Sequence, residues 1–242
     1  MRRTILLLAT MTLTLLVASG VALAVTKIGG PGPDTLRGTN GADNLLGNGG
    51  NDVLYALRGK DNLLGGPGKD WVLGGNKVRP LGGGKNLLGG PGNDGMFGGR
   101  GPDDMVGGSG NDRLSGDPRP DRMRGEEGRD IVDGDSGSDR LFGGGGPDWL
   151  NMGDFGEVAK NTLSGGDGDD ALIAINRPAR RDIVACGSGF DRVVADTKDQ
   201  IASDCERVRR RPTSEQEIDA LFVELGFRKV DEGLAPDPTA GG

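Results

Sequence analysis

Between Gly29 and Asn151, large aliphatic residues recur every nine positions. Leu36, Leu45, Leu54, Leu63 and Val72 form a first block, and Met96, Met105, Leu114, Met123, Val132, Leu141 and Leu150 a second. The positions before them are mostly polar, as at Thr35, Asn44, Asn62, Arg113, Arg122 and Arg140. One apolar side chain between outward-facing neighbours predicts a three-residue strand with a single buried position. The six residues before each strand are rich in glycine and read as a turn. Strands this short bury their apolar position only by stacking, and a fixed short period marks a quasi-one-dimensional fold. Two rows make one coil with a strand on each side. The pattern therefore predicts an all-β, parallel β-solenoid of stacked 18-residue coils.

The same period carries a chemical group. Asp34, Asp43, Asp52, Asp61 and Asp70 each stand two residues before an aliphatic residue, and the register restarts at Asp94 to include Asp103, Asp112, Asp121, Asp130, Asp139 and Asp148. Full rows such as Gly107-Gly108-Ser109-Gly110-Asn111-Asp112-Arg113-Leu114-Ser115 give the frame G-G-x-G-x-D-x-U-x, with U a large aliphatic. Stacked coils lie about 4.8 Å apart. Aspartates one coil apart therefore come close, and each ionised pair repels by about 1 kcal/mol even in water. A divalent cation reverses that sign. Carboxylates with turn carbonyls form an oxygen-only shell that suits Ca²⁺.

The i, i+18 rule pairs Asp34/Asp52, Asp43/Asp61 and Asp52/Asp70 in the first block. In the second it pairs Asp94/Asp112, Asp103/Asp121, Asp112/Asp130, Asp121/Asp139 and Asp130/Asp148. About five Ca²⁺ ions are expected. The Asp61 and Asp121 pairs are the weakest, because Ala56-Leu57-Arg58 and Pro118-Arg119-Pro120 displace turn glycines. At the seam between blocks, Arg79 stands where an aspartate is due and Gly82-Gly83-Gly84-Lys85 marks the slip. One or two coils there should lack metal, with Arg79 either an internal cation or a solvated surface residue.

The frame resembles the calcium-binding nonapeptide repeat of RTX (hemolysin-type) proteins, strongly over residues 29–151 and weakly over 161–208. The resemblance implies a β-roll, calcium as the cofactor and a secreted protein. Such repeats often accompany a separate protease or lipase domain. Here the span between leader and tail is taken up by repeats and their cap, so the expectation is a protein that is not an enzyme.

Composition narrows the picture further. The 242 residues include 48 Gly, 4% aromatic residues and no His, which removes the commonest general base and transition-metal ligand. The formal charge of −7 disfavours nucleic acid and anionic membranes as partners. Residues 1–24 read as a secretory signal: Arg2-Arg3, an apolar run from Ile5 to Val17, and Ala22-Leu23-Ala24 as the cleavage site. An uncleaved anchor is the alternative. With cleavage, no stable membrane insertion is expected. In an exported chain, the pair Cys186 and Cys205 reads as one disulfide, two free thiols being the alternative.

Four segments follow: signal 1–24, calcium-binding repeats 25–151, degenerate repeats with a disulfide-linked cap 152–208, and 209–242. The last holds a basic linker, a tail and an expected short amphipathic helix on Ile218, Leu221, Phe222 and Leu225, opened by Ser214 and Glu217. Two functions compete. The first is an extracellular calcium-binding protein whose repeats fold on meeting Ca²⁺. The second is a calcium-stabilised adhesin or cell-surface matrix protein that binds a polysaccharide or protein through outward Trp71, Trp149, Tyr55, Phe97 and Phe142.

Overall fold

Strands form at the predicted rows because each row offers one aliphatic side chain between two that solvent accepts. The computed structural model describes residues 23–75, 84–153, 159–176 and 180–210. Among these are twenty strands, from β1 (Thr26–Ile28) to β20 (Arg207–Arg210) in chain order. Odd-numbered strands pair only with odd and even with even, giving two ten-stranded sheets. Pairing is parallel throughout. The chain crosses between the sheets at every turn and returns beside its own start after two rows. Thus Asn44 lies beside Asn62, and Leu114 beside Val132, as the predicted coil requires. The fold is the predicted parallel β-roll. The signal up to residue 22, Arg79 and the expected helix lie outside the described residues.

The core is a single file of side chains from each sheet. Every predicted inward aliphatic from Leu45 to Leu150 is at most 2% exposed, while Leu36, on the edge strand among the described residues, is half-buried. Leu87 joins them at the seam. Glycine lets successive turns touch. A Cβ on Gly92, whose φ is +147°, would collide with the Gly68 carbonyl oxygen of the preceding coil. Arg119 holds the equivalent turn position at φ +124° despite its side chain.

The coil length is not constant. Asn62 pairs with Asn86 and Trp71 with Gly95, a separation of 24 in place of 18, so the seam lengthens one coil without breaking either sheet. Later separations are 22 between Trp149 and Ala171 and 21 between Ala171 and Arg192. The additions fall between strands, so the strand register is untouched.

One expectation of exposure fails. Trp149 is only 5% exposed and belongs to the hydrophobic cluster, in register between Ile131 and Ala171, which also pack there. Towards this end the outer face is itself apolar: all of Ala171–Ala174 is buried. Trp71, Tyr55, Phe97 and Phe142 are half-buried. Trp71 stacks on Phe97 with ring centroids 6.0 Å apart, its indole lying over Gly95, which has no side chain to displace it.

The Cys186–Cys205 disulfide is formed, with Cα atoms 5.2 Å apart. It ties the row that leads into Arg192–Ala195 to the last coil, where Arg207–Arg210 pairs with that strand.

Candidate metal centre

The two turns of each coil lie on opposite edges of the roll, so the aspartates separate into two files. Turns that lead into even-numbered strands place Asp34, Asp52, Asp70, Asp94, Asp112, Asp130 and Asp148 along the first edge. Turns that lead into odd-numbered strands place Asp43, Asp61, Asp103, Asp121 and Asp139 along the second. All twelve predicted residues therefore stand in the files, and all but Asp34 are at most 3% exposed.

Within a file the contact is specific. Where aspartates follow one another in a file, the backbone N–H of one donates to Oδ1 of the aspartate in the next coil. Asp34 donates to Asp52 at 2.8 Å, Asp52 to Asp70 at 2.7 Å and Asp94 to Asp112 at 2.8 Å. Asp112 donates to Asp130 and Asp130 to Asp148, both at 2.8 Å. On the second edge, Asp43 donates to Asp61 at 2.9 Å, Asp103 to Asp121 at 2.7 Å and Asp121 to Asp139 at 2.8 Å. The eight pairs given by the i, i+18 rule are thus neighbours, those of Asp61 and Asp121 included. One carboxylate oxygen per residue is committed to holding coils together.

The other oxygen is left. Along the first edge, Oδ2 of every aspartate from Asp52 to Asp148 is buried, and no donor reaches it among the described residues. A buried polar atom without a partner costs about 1–3 kcal/mol and calls for a missing ligand. The first rungs differ: Asp34 Oδ2 accepts from the Gly30 N–H and Asp43 Oδ2 from the Thr39 N–H, both at 2.5 Å.

Each unpartnered oxygen faces a small cradle. A Cβ on Gly47 would collide with Asp52 Oδ2 and stand 2.5 Å from the Gly65 carbonyl oxygen of the next coil. A Cβ on Gly107 would collide with Asp112 Oδ2 and stand 2.8 Å from the Gly125 carbonyl oxygen. Glycine thus keeps open a space where a carboxylate oxygen and a neighbouring carbonyl converge. A hard cation with oxygen ligands fits that donor set.

Electrostatics point the same way. Burial pushes the carboxyls of Asp70 and Asp112 up to about 6, of Asp94 and Asp130 to about 7 and of Asp148 to about 8. Asp121 rises to about 9, first through burial and then through the charges of Asp103, Asp139 and Asp117. Without a cation Asp148 and Asp121 stay mostly protonated at neutral pH, Asp94 and Asp130 are about half ionised, and Asp70 and Asp112 ionise against the penalty of burial.

The family model of the RTX calcium-binding nonapeptide repeat matches residues 28–63, 46–76, 88–118, 115–150 and 155–174, more than half of the chain. The chain belongs to the RTX calcium-binding nonapeptide-repeat family. It is a calcium-binding repeat protein built as a β-roll. A comparison with curated proteins finds no match.

The RTX files extend further than the i, i+18 rule reaches. Asp148 donates to Asp170 and Asp170 to Asp191, and Asp191 ends the first file on Glu206 Oε2. On the second edge Asp139 donates to Asn161 Oδ1, Asn161 to Asp182 and Asp182 to Asp199. The signal for Asp170 is present in Gly165-Gly166-Asp167-Gly168-Asp169-Asp170. Coils of changed length hide it from a fixed spacing. The other residue that sequence reasoning misses is Lys85, a fully buried side chain that takes an aspartate's place on the second edge. Its signal is Lys85-Asn86-Leu87-Leu88, which repeats Asp43-Asn44-Leu45-Leu46 and Asp61-Asn62-Leu63-Leu64 with only the first residue changed.

Proposed function

We propose that this protein is secreted, and that its roll folds outside the cell as Ca²⁺ enters the cradles beside Asp52, Asp70, Asp94, Asp112, Asp130 and Asp148. The observation that carries this reading is the row of buried, unpartnered Oδ2 atoms along the first edge. In calcium-poor surroundings the carboxylates repel or must take up protons. With Ca²⁺ they become ligands, and metal affinity becomes folding free energy. The cytosol would hold the chain loose for export. Residues 25–151 act as the calcium-dependent roll and 152–208 as the cap that covers its end, supported by the Cys186–Cys205 tie. Circular dichroism of the full chain before and after chelation tests the coupling: strand signal should collapse in chelator and return with Ca²⁺. A strand signal indifferent to chelator overturns it.

A second reading, a calcium-stiffened surface for a protein partner, is favoured by one feature. Ile28, Leu46, Leu64, Leu88 and Val106 stand in register across five adjacent strands of the odd-numbered sheet. Ile28, Leu64 and Leu88 are 64%, 37% and 44% exposed. An outward aliphatic row of this length is a candidate contact surface. Calcium-dependent capture of a surface protein that Leu64→Lys abolishes would support it; capture unaffected by that change would not.

A further inference from the structure

The two edges of the roll differ in what stands opposite the aspartate oxygen. On the first edge glycine holds the cradle position in every coil from Gly29 to Gly165, and Cys186 closes the file. On the second edge the surroundings change four times. Ala56 puts a fully buried methyl group at the cradle position in the row of Asp61. Met152 puts a buried thioether there, and the rung residue is Asn161, whose Nδ2 donates to Met152 Sδ at 3.3 Å. In the next row Asn176 brings in an amide, and its Nδ2 donates to Asp182 Oδ2 at 2.9 Å, supplying the partner that the first-edge oxygens lack.

The fourth change is at the rung itself. Lys85 sits in register between Asp61 and Asp103: the Asn86 N–H bonds to the Asp61 carbonyl, and the Lys85 N–H donates to Asp103 Oδ1 at 2.8 Å. A Cβ on Gly74 would meet Lys85 Cδ at 2.8 Å, so the lysine stem fills the cradle that Gly74 leaves. Nζ ends beside Gly75, 3.6 Å from where a Cβ would stand there. The side chain is 2% exposed, and its charge favours the ionised form of both Asp61 and Asp103. A buried ammonium needs anionic company, and carboxylates in the coils on either side supply it.

Building on the calcium reading above, we infer that the two edges load differently: Ca²⁺ forms an unbroken file on the first edge, whereas on the second the Lys85 ammonium and the Ala56 methyl stand in place of ions. A resident cation on the chain cannot be chelated. The lengthened coil at the seam is thereby held by a charge that calcium-poor conditions do not remove. The carboxylates Asp103, Asp121 and Asp139, whose cradles keep Gly98, Gly116 and Gly134, remain as a short separate file.

The test counts ions bound per full chain by native mass spectrometry at saturating Ca²⁺. Ala56→Gly and Lys85→Asp should each bind one ion more than the wild type, while Gly65→Ala on the first edge should bind at least one fewer. Lys85→Asn, which keeps an oxygen at the rung and removes the charge, should also gain an ion and decides the matter if Lys85→Asp does not fold. Ala56→Gly and folded Lys85 variants that bind the wild-type number overturn the inference. A wild type that binds no Ca²⁺ sinks the calcium reading instead, so the two failures are distinguishable.

Discussion

Asp94 Oδ1 accepts a hydrogen bond from the backbone N–H of Asp70 at 2.7 Å, although the two residues are 24 positions apart. The first-edge file therefore passes through the seam intact, and spatial order rather than sequence spacing defines neighbouring rungs. Removing six residues from 76–83, with Gly84 and Lys85 kept, restores the spacing of the other repeats. The expected outcome is an unchanged calcium count and unchanged strand content by circular dichroism. A lower count would show that the added residues contribute to a site.

Asp112 separates the two duties of the aspartates. Asp112→Asn keeps an oxygen for the Asp94 N–H but loses the ligand charge, so it should weaken calcium binding at least tenfold and leave the chelated state little changed. Asp112→Ala loses both, and stranding a buried N–H should cost about 1–3 kcal/mol more. Thermal melts in Ca²⁺ and in chelator measure the difference between the two variants.

The raised carboxyl values set a pH dependence whose sign depends on calcium. The calcium-free roll prefers its carboxyls protonated, so the stability they contribute is present at acid pH. It is lost as pH rises through the folded values of about 6 for Asp112, 7 for Asp94 and 8 for Asp148. In chelator, strand content should rise as pH falls from 8 to 5. In Ca²⁺ the trend should invert, because protons compete for the same oxygens. Circular dichroism across this range with and without calcium reads both slopes.

Arg119 adopts φ +124°, where its equivalents in neighbouring coils are glycine. A side chain in the left-handed region costs roughly 1–2 kcal/mol. Arg119→Gly should therefore stabilise the calcium-loaded protein by about 1 kcal/mol in denaturant titration, with no change in the ions bound.

The disulfide acts at one end. Reducing Cys186–Cys205 should cost on the order of 3 kcal/mol in the chain-entropy model. The loss should appear as faster amide exchange in Arg192–Ala195 and Arg207–Arg210, while Asn62–Leu64 stays protected.

Sequence alone reveals the architecture wherever one side chain per row has one place to go. The inward leucines and methionines, the glycine turns and the eight aspartate pairs all follow from a nine-residue period. The register of Asp170 and Asp191 is not legible there, because insertions between strands leave strand pairing intact while defeating a fixed spacing. Lys85 escapes for a related reason: a cation in a carboxylate file looks like a break in the pattern until the neighbouring rungs are seen. Trp149 departs from expectation because alternation sets the face a side chain points to and not its exposure, and beside Ala171–Ala174 the outer face is buried.

Amide hydrogen exchange on the full chain reads out whether calcium holds the files together. The N–H groups of Asp52, Asp94, Asp112 and Asp130 each donate to the next rung. In Ca²⁺ they should be among the slowest to exchange; in chelator at pH 8 they should exchange at rates close to those of an unfolded chain. Equal protection of these four amides in both conditions would mean that the files hold without calcium.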